Sequence, residues 1–312
     1  MGNRPAATQP STRVYDSRTL VIGRFRCPAD HRAWRELNSI GSRPLIVFPR
    51  VPVRIKHDDK PAVVADANCV MFYNADQMYQ RGLLDRRGDA CEFYALGERL
   101  LAEIVAEFHP ADADQPRAPF SFCNGPSDPH SYLRQREVFE YVTRSDQPEQ
   151  LLVEETVLMV VRGVLALAFA ARGMRGRPRS ARTDRAHRDV TEAAKEALAR
   201  RFNHRLSLDE ISDTVHVSPF HLCRIFRRHT GFSLHQYLSQ LRLRSSLEAL
   251  AEGEADLTRL ALRLGYSSHA HFTFAFRQAF GTSPSQVRCG SAARRLADQM
   301  SRNLKADRPA TA

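Results

Sequence analysis

The chain has 312 residues, enough for two ordinary domains that each bury a core. Its apolar (43%) and charged (26%) fractions are those of a globular protein and exclude wholesale disorder. The net charge of +11 is uneven: residues 1–171 hold 21 Lys and Arg against 22 Asp and Glu, so the later part carries the whole excess and points to a polyanionic partner.

Residues 1–11 read as a flexible tail. From Tyr15 to about Leu96, short runs rich in β-branched and aromatic residues (Leu20–Ile22, Leu45–Phe48, Val51–Ile55, Cys69–Tyr73) alternate with Pro, Gly, Asn and Asp, which predicts strands. Pro49 and Pro52 flank Val51, so that stretch belongs at an edge or corner. After Gly97 the period changes, and helices are predicted over Glu98–Phe108, Ser131–Arg144 and Pro148–Arg172. Residues 173–188 alternate Arg, Gly and Pro without an apolar period and read as a basic linker. The expected division is 12–172 for an effector-binding or dimerisation domain, 189–290 for a second domain and 291–312 for a flexible tail. The expected fold class is α+β: a β-rich, cupin-like barrel with helices, then an all-α domain.

The strongest signal is a repeat. His221 to Gly231 matches His271 to Gly281 at an offset of 50, with Phe226/Phe276, Arg227/Arg277 and Ser233/Ser283 in register. A short amphipathic helix precedes each copy, with Leu208, Ile211 and Val215 in one and Leu257, Leu260, Ala261 and Leu264 in the other. A tight turn then leads to Ser218 or Ser268, each able to cap a second helix, with Pro219 suited to the first helical position. Gly265 suits a turn that needs positive φ. This is a helix-turn-helix written twice, joined by one long helix over Leu234–Leu250.

A reading helix buries one stripe and turns the other into the major groove. Leu222, Ile225 and Phe226, and then Phe272, Ala275 and Phe276, are the expected buried stripes. The base-contact candidates are Pro219, Phe220, Cys223 and Arg224, then His269, Ala270, Thr273 and Phe274. Arg224 is the candidate for bidentate contact to guanine. Ser218, Arg227, Arg228, Ser268 and Arg277 are candidates for phosphate contacts. Two helices held at fixed spacing imply successive major grooves, about 10 bp apart.

Residues 189–289 resemble the DNA-binding domain of the AraC/XylS family of bacterial transcription regulators. The residues carrying the resemblance are Leu208-x-x-Ile211-Ser212, Ser218-x-x-His221-Leu222-x-Arg224-x-Phe226, Gly231-x-Ser233, Tyr237, Leu264 to Ser268, Phe272, Phe276-Arg277 and Phe280-Gly281-x-Ser283-Pro284. The resemblance implies seven helices, double-stranded DNA and RNA polymerase as partners, activation as the commoner mode, and no enzymatic activity. The chain departs from the family pattern at Phe274, where an Arg is usual. A base contact is lost there, leaving thymine methyls and DNA shape to be read.

The family's first half commonly binds a small effector, dimerises, or both. Phe48, Phe72, Tyr73, Phe93 and Tyr94 with Arg54 are the expected effector pocket, and His57, Tyr79 and Arg81 are further candidates. The competing readings are a metal-dependent barrel and a cysteine redox sensor. For the first, His57, Asp58 and Asp59 form the only dense ligand cluster, and no second histidine follows before His109. The second would use Cys69, Cys91 or Cys123. No Pro-Cys-His-Arg context surrounds any cysteine, which argues against a methyl-transfer repair enzyme. No metal and no cofactor is expected, since no CxxC or HxxxH-type cluster occurs. The sequence opens without an apolar signal core, and the apolar run at 157–171 is broken by Arg162, so a cytoplasmic protein without a membrane partner is expected.

Overall fold

The computed structural model describes residues 11–58, 60–173, 181–287 and 295–296. Ten strands come in chain order: β1 Ser11–Asp16, β2 Leu20–Cys27, β3 Asn38–Ser39, β4 Leu45–Pro49, β5 Val53–His57, β6 Val63–Ala65, β7 Cys69–Tyr73, β8 Met78–Leu83, β9 Asp89–Leu96 and β10 Asn124–Pro126. The helices are α1 Glu98–Ala106, α2 Pro110–Ala113, α3 Pro129–Arg144, α4 Gln150–Gly173, α5 Ala181–Arg201, α6 Leu208–Thr214, α7 Pro219–Thr230, α8 Leu234–Ala251, α9 Leu257–Arg263 and α10 His269–Phe280. The α+β class holds: a β-rich region is followed by a helical one.

The strands form a six-stranded sheet in the order β1-β2-β9-β4-β7-β10 and a four-stranded sheet in the order β3-β8-β5-β6. The longest pairing runs antiparallel from Leu20↔Leu96 to Cys27↔Asp89. The corner expected at Val51 is where the chain leaves β4 in one sheet and enters β5 in the other. Prolines at both ends of that passage remove ladder donors, which favours a change of sheet over continued pairing. β5 alternates buried and exposed residues, as a half-buried strand should. Strands β8 and β9 lie within the stretch where strands are predicted but outside its four apolar runs, because their apolar pattern is interrupted by charge. Those charges are buried in pairs, Arg81 with Asp89 at 3.1 Å and Arg50 with Glu92.

The chain divides into two compact units, one of residues 1–65 and 71–123, the other of 66–70 and 124–312. Helices α3 and α4 therefore fall in the second unit, although the sequence places them with the strands. The reason is packing: Tyr132 and Leu133 of α3 share a core with Leu247, Leu250, Phe272 and Phe276. The Tyr132 hydroxyl donates to Glu248 at 3.1 Å, and Arg136 lies 3.1 Å from the same carboxylate. Within the stretch read as linker, α5 opens at Ala181, so residues 181–188 are helical. That first part lacks an apolar face, and the helix is anchored further on by buried Ala194 and Leu198.

The second unit also holds a buried polar cluster. Tyr237 of α8 donates to Asp66 at 2.7 Å, and Asn68 donates to the Tyr237 carbonyl at 2.9 Å. Arg244 donates to Asn68 and, at 2.5 Å, to the Ser127 carbonyl, with its guanidinium over the Tyr132 ring. Burial pushes the Asp66 carboxyl up, opposed by Lys195 and by its hydrogen bonds. Leaving any of these groups unpartnered would cost about 1–3 kcal/mol, more for the charged ones, so the cluster fixes how α8 sits.

Candidate nucleic-acid interface

The first helix-turn-helix begins with a reciprocal cap: Glu210 N–H donates to Ser207 Oγ at 3.1 Å, and Ser207 N–H to Glu210 Oε2 at 2.8 Å. After α6 the chain turns through His216, at φ +55°, and Val217 N–H closes the turn on the Ser212 carbonyl at 3.2 Å. Ser218 caps α7 by accepting from His221 N–H, and Pro219 takes a first-turn position where its missing N–H costs nothing. Gly231, at φ +80°, ends α7 and donates to the Arg227 carbonyl.

The second unit of the repeat copies these bonds except the reciprocal one of the first cap, because Arg259 stands where Glu210 reaches back. Asp256 caps α9, and Tyr266 N–H closes the turn on the Ala261 carbonyl at 3.0 Å. Ser268 caps α10 through His271 N–H at 3.1 Å, and Gly281 ends it at φ +68°. Here the turn residue with positive φ is Gly265, at +81°. Each turn thus repeats down to its closing hydrogen bond, 49 residues on.

Both reading helices divide as amphipathic helices must. Leu222, Ile225 and Phe226 of α7 are buried, with Leu222 and Phe226 in a core shared with Leu198, Ile211 and Tyr237. Phe272, Phe276 and Phe280 of α10 are buried, while Ala275 is only half-buried at the edge of their cluster. On the opposite side Phe220, Cys223, Arg224 and Arg227 are exposed on α7, with Pro219 half-buried. On α10 His269, Ala270, Phe274 and Arg277 are exposed and Thr273 is half-buried. Phe220 is 80% and Phe274 64% exposed, a costly placement for aromatic rings unless a partner covers them. Arg227, Arg228 and Arg277 are exposed and Ser218 and Ser268 lie at the helix starts, which brings the phosphate candidates to the same ends and flanks.

Helix α8 holds the two units together. Leu234, Tyr237, Leu238 and Leu241 belong to the first core, and Leu243, Leu247 and Leu250 to the second. Arg242, which sequence reasoning passed over, spans the junction. It donates to the carbonyls of Phe202 (2.7 Å), His204 (2.8 Å) and Gly265 (3.2 Å).

In the first compact unit a cavity of about 550 Å³ is walled by Val21, Phe25, Leu45, Val47 and Phe93. Its polar lining includes Tyr73, Tyr79, Arg81 and Asp89. Of the expected effector residues Tyr73 and Phe93 line it, and so do the further candidates Tyr79 and Arg81. Phe48, Phe72 and Tyr94 are buried elsewhere, because Phe48 and Tyr94 alternate onto the opposite face from Val47 and Phe93 and pack edge to face at 5.2 Å, while Phe72 packs on Phe120 and Phe122. Arg54 is exposed, one residue out of phase with buried Val53 and Ile55. His57 is buried beside Tyr73, with ring centroids 4.4 Å apart. Burial, and then Lys60, pushes its pKa down to about 4. Burial likewise raises Asp89 to about 6 against the pull of Arg81.

Cys69 is pushed up to about 12 and Cys91 well above its ordinary value, chiefly by burial, so neither presents a ready thiolate. Asp58 is exposed while His57 is buried, and Asp59 lies outside the described residues. Among the described residues no three His, Cys, Asp or Glu side chains form a metal-holding group, and no helix is long and apolar enough to cross a membrane.

A helix-turn-helix domain family model matches residues 211–289. The "probable transcription factor PqrA" of Proteus vulgaris is 34% identical over 86 residues, covering 28% of this chain and 70% of PqrA. The transcriptional activator RhaS of Escherichia coli is 34% identical over 89 residues, covering 28% of this chain and 32% of RhaS. A solved AraC-type DNA-binding domain protein from Chromobacterium violaceum is 27% identical, covering 32% of this chain and 89% of its own, with a TM-score of 0.31. The match spans less than a third of the length of several curated relatives. With its duplicated, capped turns and the PqrA match, the chain belongs to the AraC family of helix-turn-helix transcription regulators.

Proposed function

We propose that the chain is a sequence-specific, DNA-binding transcription activator of the cytoplasm, responding to a small-molecule effector through its first half and acting on RNA polymerase at a promoter. The observation that carries the DNA reading is the pair of capped helices, α7 and α10, each with one stripe buried and the other exposed, joined through α8. The two exposed stripes differ in chemistry. α7 offers Arg224 between Phe220 and Arg227, which suits a guanine with flanking phosphates. α10 offers His269, Ala270, Thr273 and Phe274 and no cation before Arg277, which suits thymine methyls. The operator is therefore asymmetric: a block containing guanine and an A·T-rich block about 10 bp away. Ser218, Arg227, Arg228, Ser268 and Arg277 hold the phosphates.

The effector reading is supported by the cavity of about 550 Å³, within the range of small-ligand sites. Effector binding alters DNA engagement only if the two states differ in effector affinity. A second copy of the chain is the proposed partner at paired operator sites.

The test is selection from a random duplex pool with the full chain, followed by sequencing and a salt titration. Two enriched blocks about 10 bp apart, with affinity falling steeply with salt, are expected. A pool that stays random would refute sequence-specific reading. Operator affinity unchanged by every cavity-filling compound that binds would remove the effector switch.

A further inference from the structure

Beside the exposed stripe of α7 stands His221, one turn before Arg224. We infer that His221 is a positioning residue for base reading, its imidazole holding the Arg224 guanidinium in the pose that enters the groove. This rests on Arg224 being a base reader.

Arg224 Nη2 lies 3.3 Å from His221 Nδ1. A guanidinium has donors and no acceptor, so Nδ1 accepts and the ring proton sits on Nε2, the neutral tautomer. The imidazole is itself held. His187 of α5 packs against it edge-on, with centroids 5.2 Å apart at 68°, and His187 in turn stands 6.2 Å from His229. Burial, and then His221, Arg228 and Arg224, lower the His187 pKa, which disfavours a further cation behind His221. α5 thereby reaches the reading helix through two imidazoles packed edge to face.

The second reading helix shows the contrast. His271 occupies the register of His221, but Phe274 stands where a cation would be held. Its Nδ1 pairs instead with Ser267 Oγ at 3.0 Å. The recurring histidine takes an arginine only where the chain supplies one three residues on. A long, exposed side chain ordered before docking avoids losing rotamer freedom on binding, worth about two- to 12-fold in affinity.

The experiment compares base preferences selected by the full chain and four variants: Arg224→Ala, His221→Ala, His221→Asn and His221→Gln. Arg224→Ala identifies the base position read by Arg224, where discrimination of about five- to 150-fold is expected to vanish. His221→Ala is expected to weaken preference at that position alone by about two- to 12-fold, with the other positions and the salt dependence unchanged. His221→Asn restores it, because the Asn amide oxygen lies where Nδ1 stood. His221→Gln does not, because its oxygen reaches towards the place of Nε2. Preference kept intact in His221→Ala overturns the inference. So does uniform weakening on all sequences with a shallower salt slope, which would make His221 a phosphate contact. If Arg224→Ala erases no preference, the base-reading role of Arg224 fails first, an outcome recognisable without the His221 variants.

Discussion

Arg242 Nη1 donates to the Gly265 carbonyl at 3.2 Å, and a Cβ built on Gly265 would lie 2.8 Å from Arg242 Nη2. One arginine of the connecting helix thus grips the turn of the second helix-turn-helix so closely that any side chain at 265 would have to displace it. The same guanidinium holds the end of α5 through Phe202 and His204. The spacing of the two reading helices is set by this grip as well as by α8 itself.

Gly265→Ala is therefore expected to cost about 2–3 kcal/mol, combining left-handed strain at φ +81° with displacement of Arg242. Gly231→Ala, at φ +80° with nothing within 4 Å, should cost only the strain, about 1–2 kcal/mol. Chemical denaturation of the two variants checks the difference, and equal losses would show that the Arg242 grip contributes nothing.

The first turn carries the opposite defect. His216 holds φ +55° where the second turn has glycine. His216→Gly should raise stability by about 0.5–1 kcal/mol, relief of left-handed strain outweighing the added entropy of the unfolded chain. A lower melting temperature would mean that the imidazole makes a compensating contact.

Phe274→Arg returns the cation usual in the family to the exposed side of α10. Selected sites should then show guanine in the A·T-rich block, with a discrimination of about 1–3 kcal/mol. If the second block keeps its original preference, α10 does not present position 274 to base edges.

The first unit should show two opposed titrations. His57 falls from an ordinary 6.5 to about 4, so its stabilising effect is present above pH 6.5 and is lost as pH falls through 4. Asp89 rises from 3.8 to about 6, so its effect is present below pH 3.8 and is lost as pH rises through 6. Each is worth roughly 3 kcal/mol, and over pH 4–6 they nearly cancel. Asp89→Asn should make stability climb with pH from 4 to 6.5, relative to the parent. His57→Phe should make it fall from 4 to 6. Parallel pH profiles for all three proteins would contradict both assignments.

The helix-turn-helix pair was legible because its signals are local. Ser218, Pro219 and Gly231 each act on a neighbouring backbone group, and a second copy with Gly265, Ser268 and Gly281 leaves little freedom in reading them. The first half was legible only in part. The runs at 45–48 and 69–73 are apolar throughout and fall in strands, whereas β8 and β9 hide Arg81, Asp89 and Glu92 in buried ion pairs, one between the two strands and one with Arg50, which a reading of apolar period does not show. Among the aromatics, a single-residue alternation decides which face the cavity: Phe93 does and Tyr94 does not.

From the sequence alone follow the two reading helices, their caps and their exposed stripes, because capping, helical period and turn chirality operate within a few residues. The tertiary structure decided what those helices are held against. Arg242 had to be brought to Gly265, His187 to His221, and Asp66 to Tyr237, across separations from 23 to 171 residues. Such polar pairs carry no periodic signature along the chain. Burial and desolvation select them, and both exist only once the helices have packed.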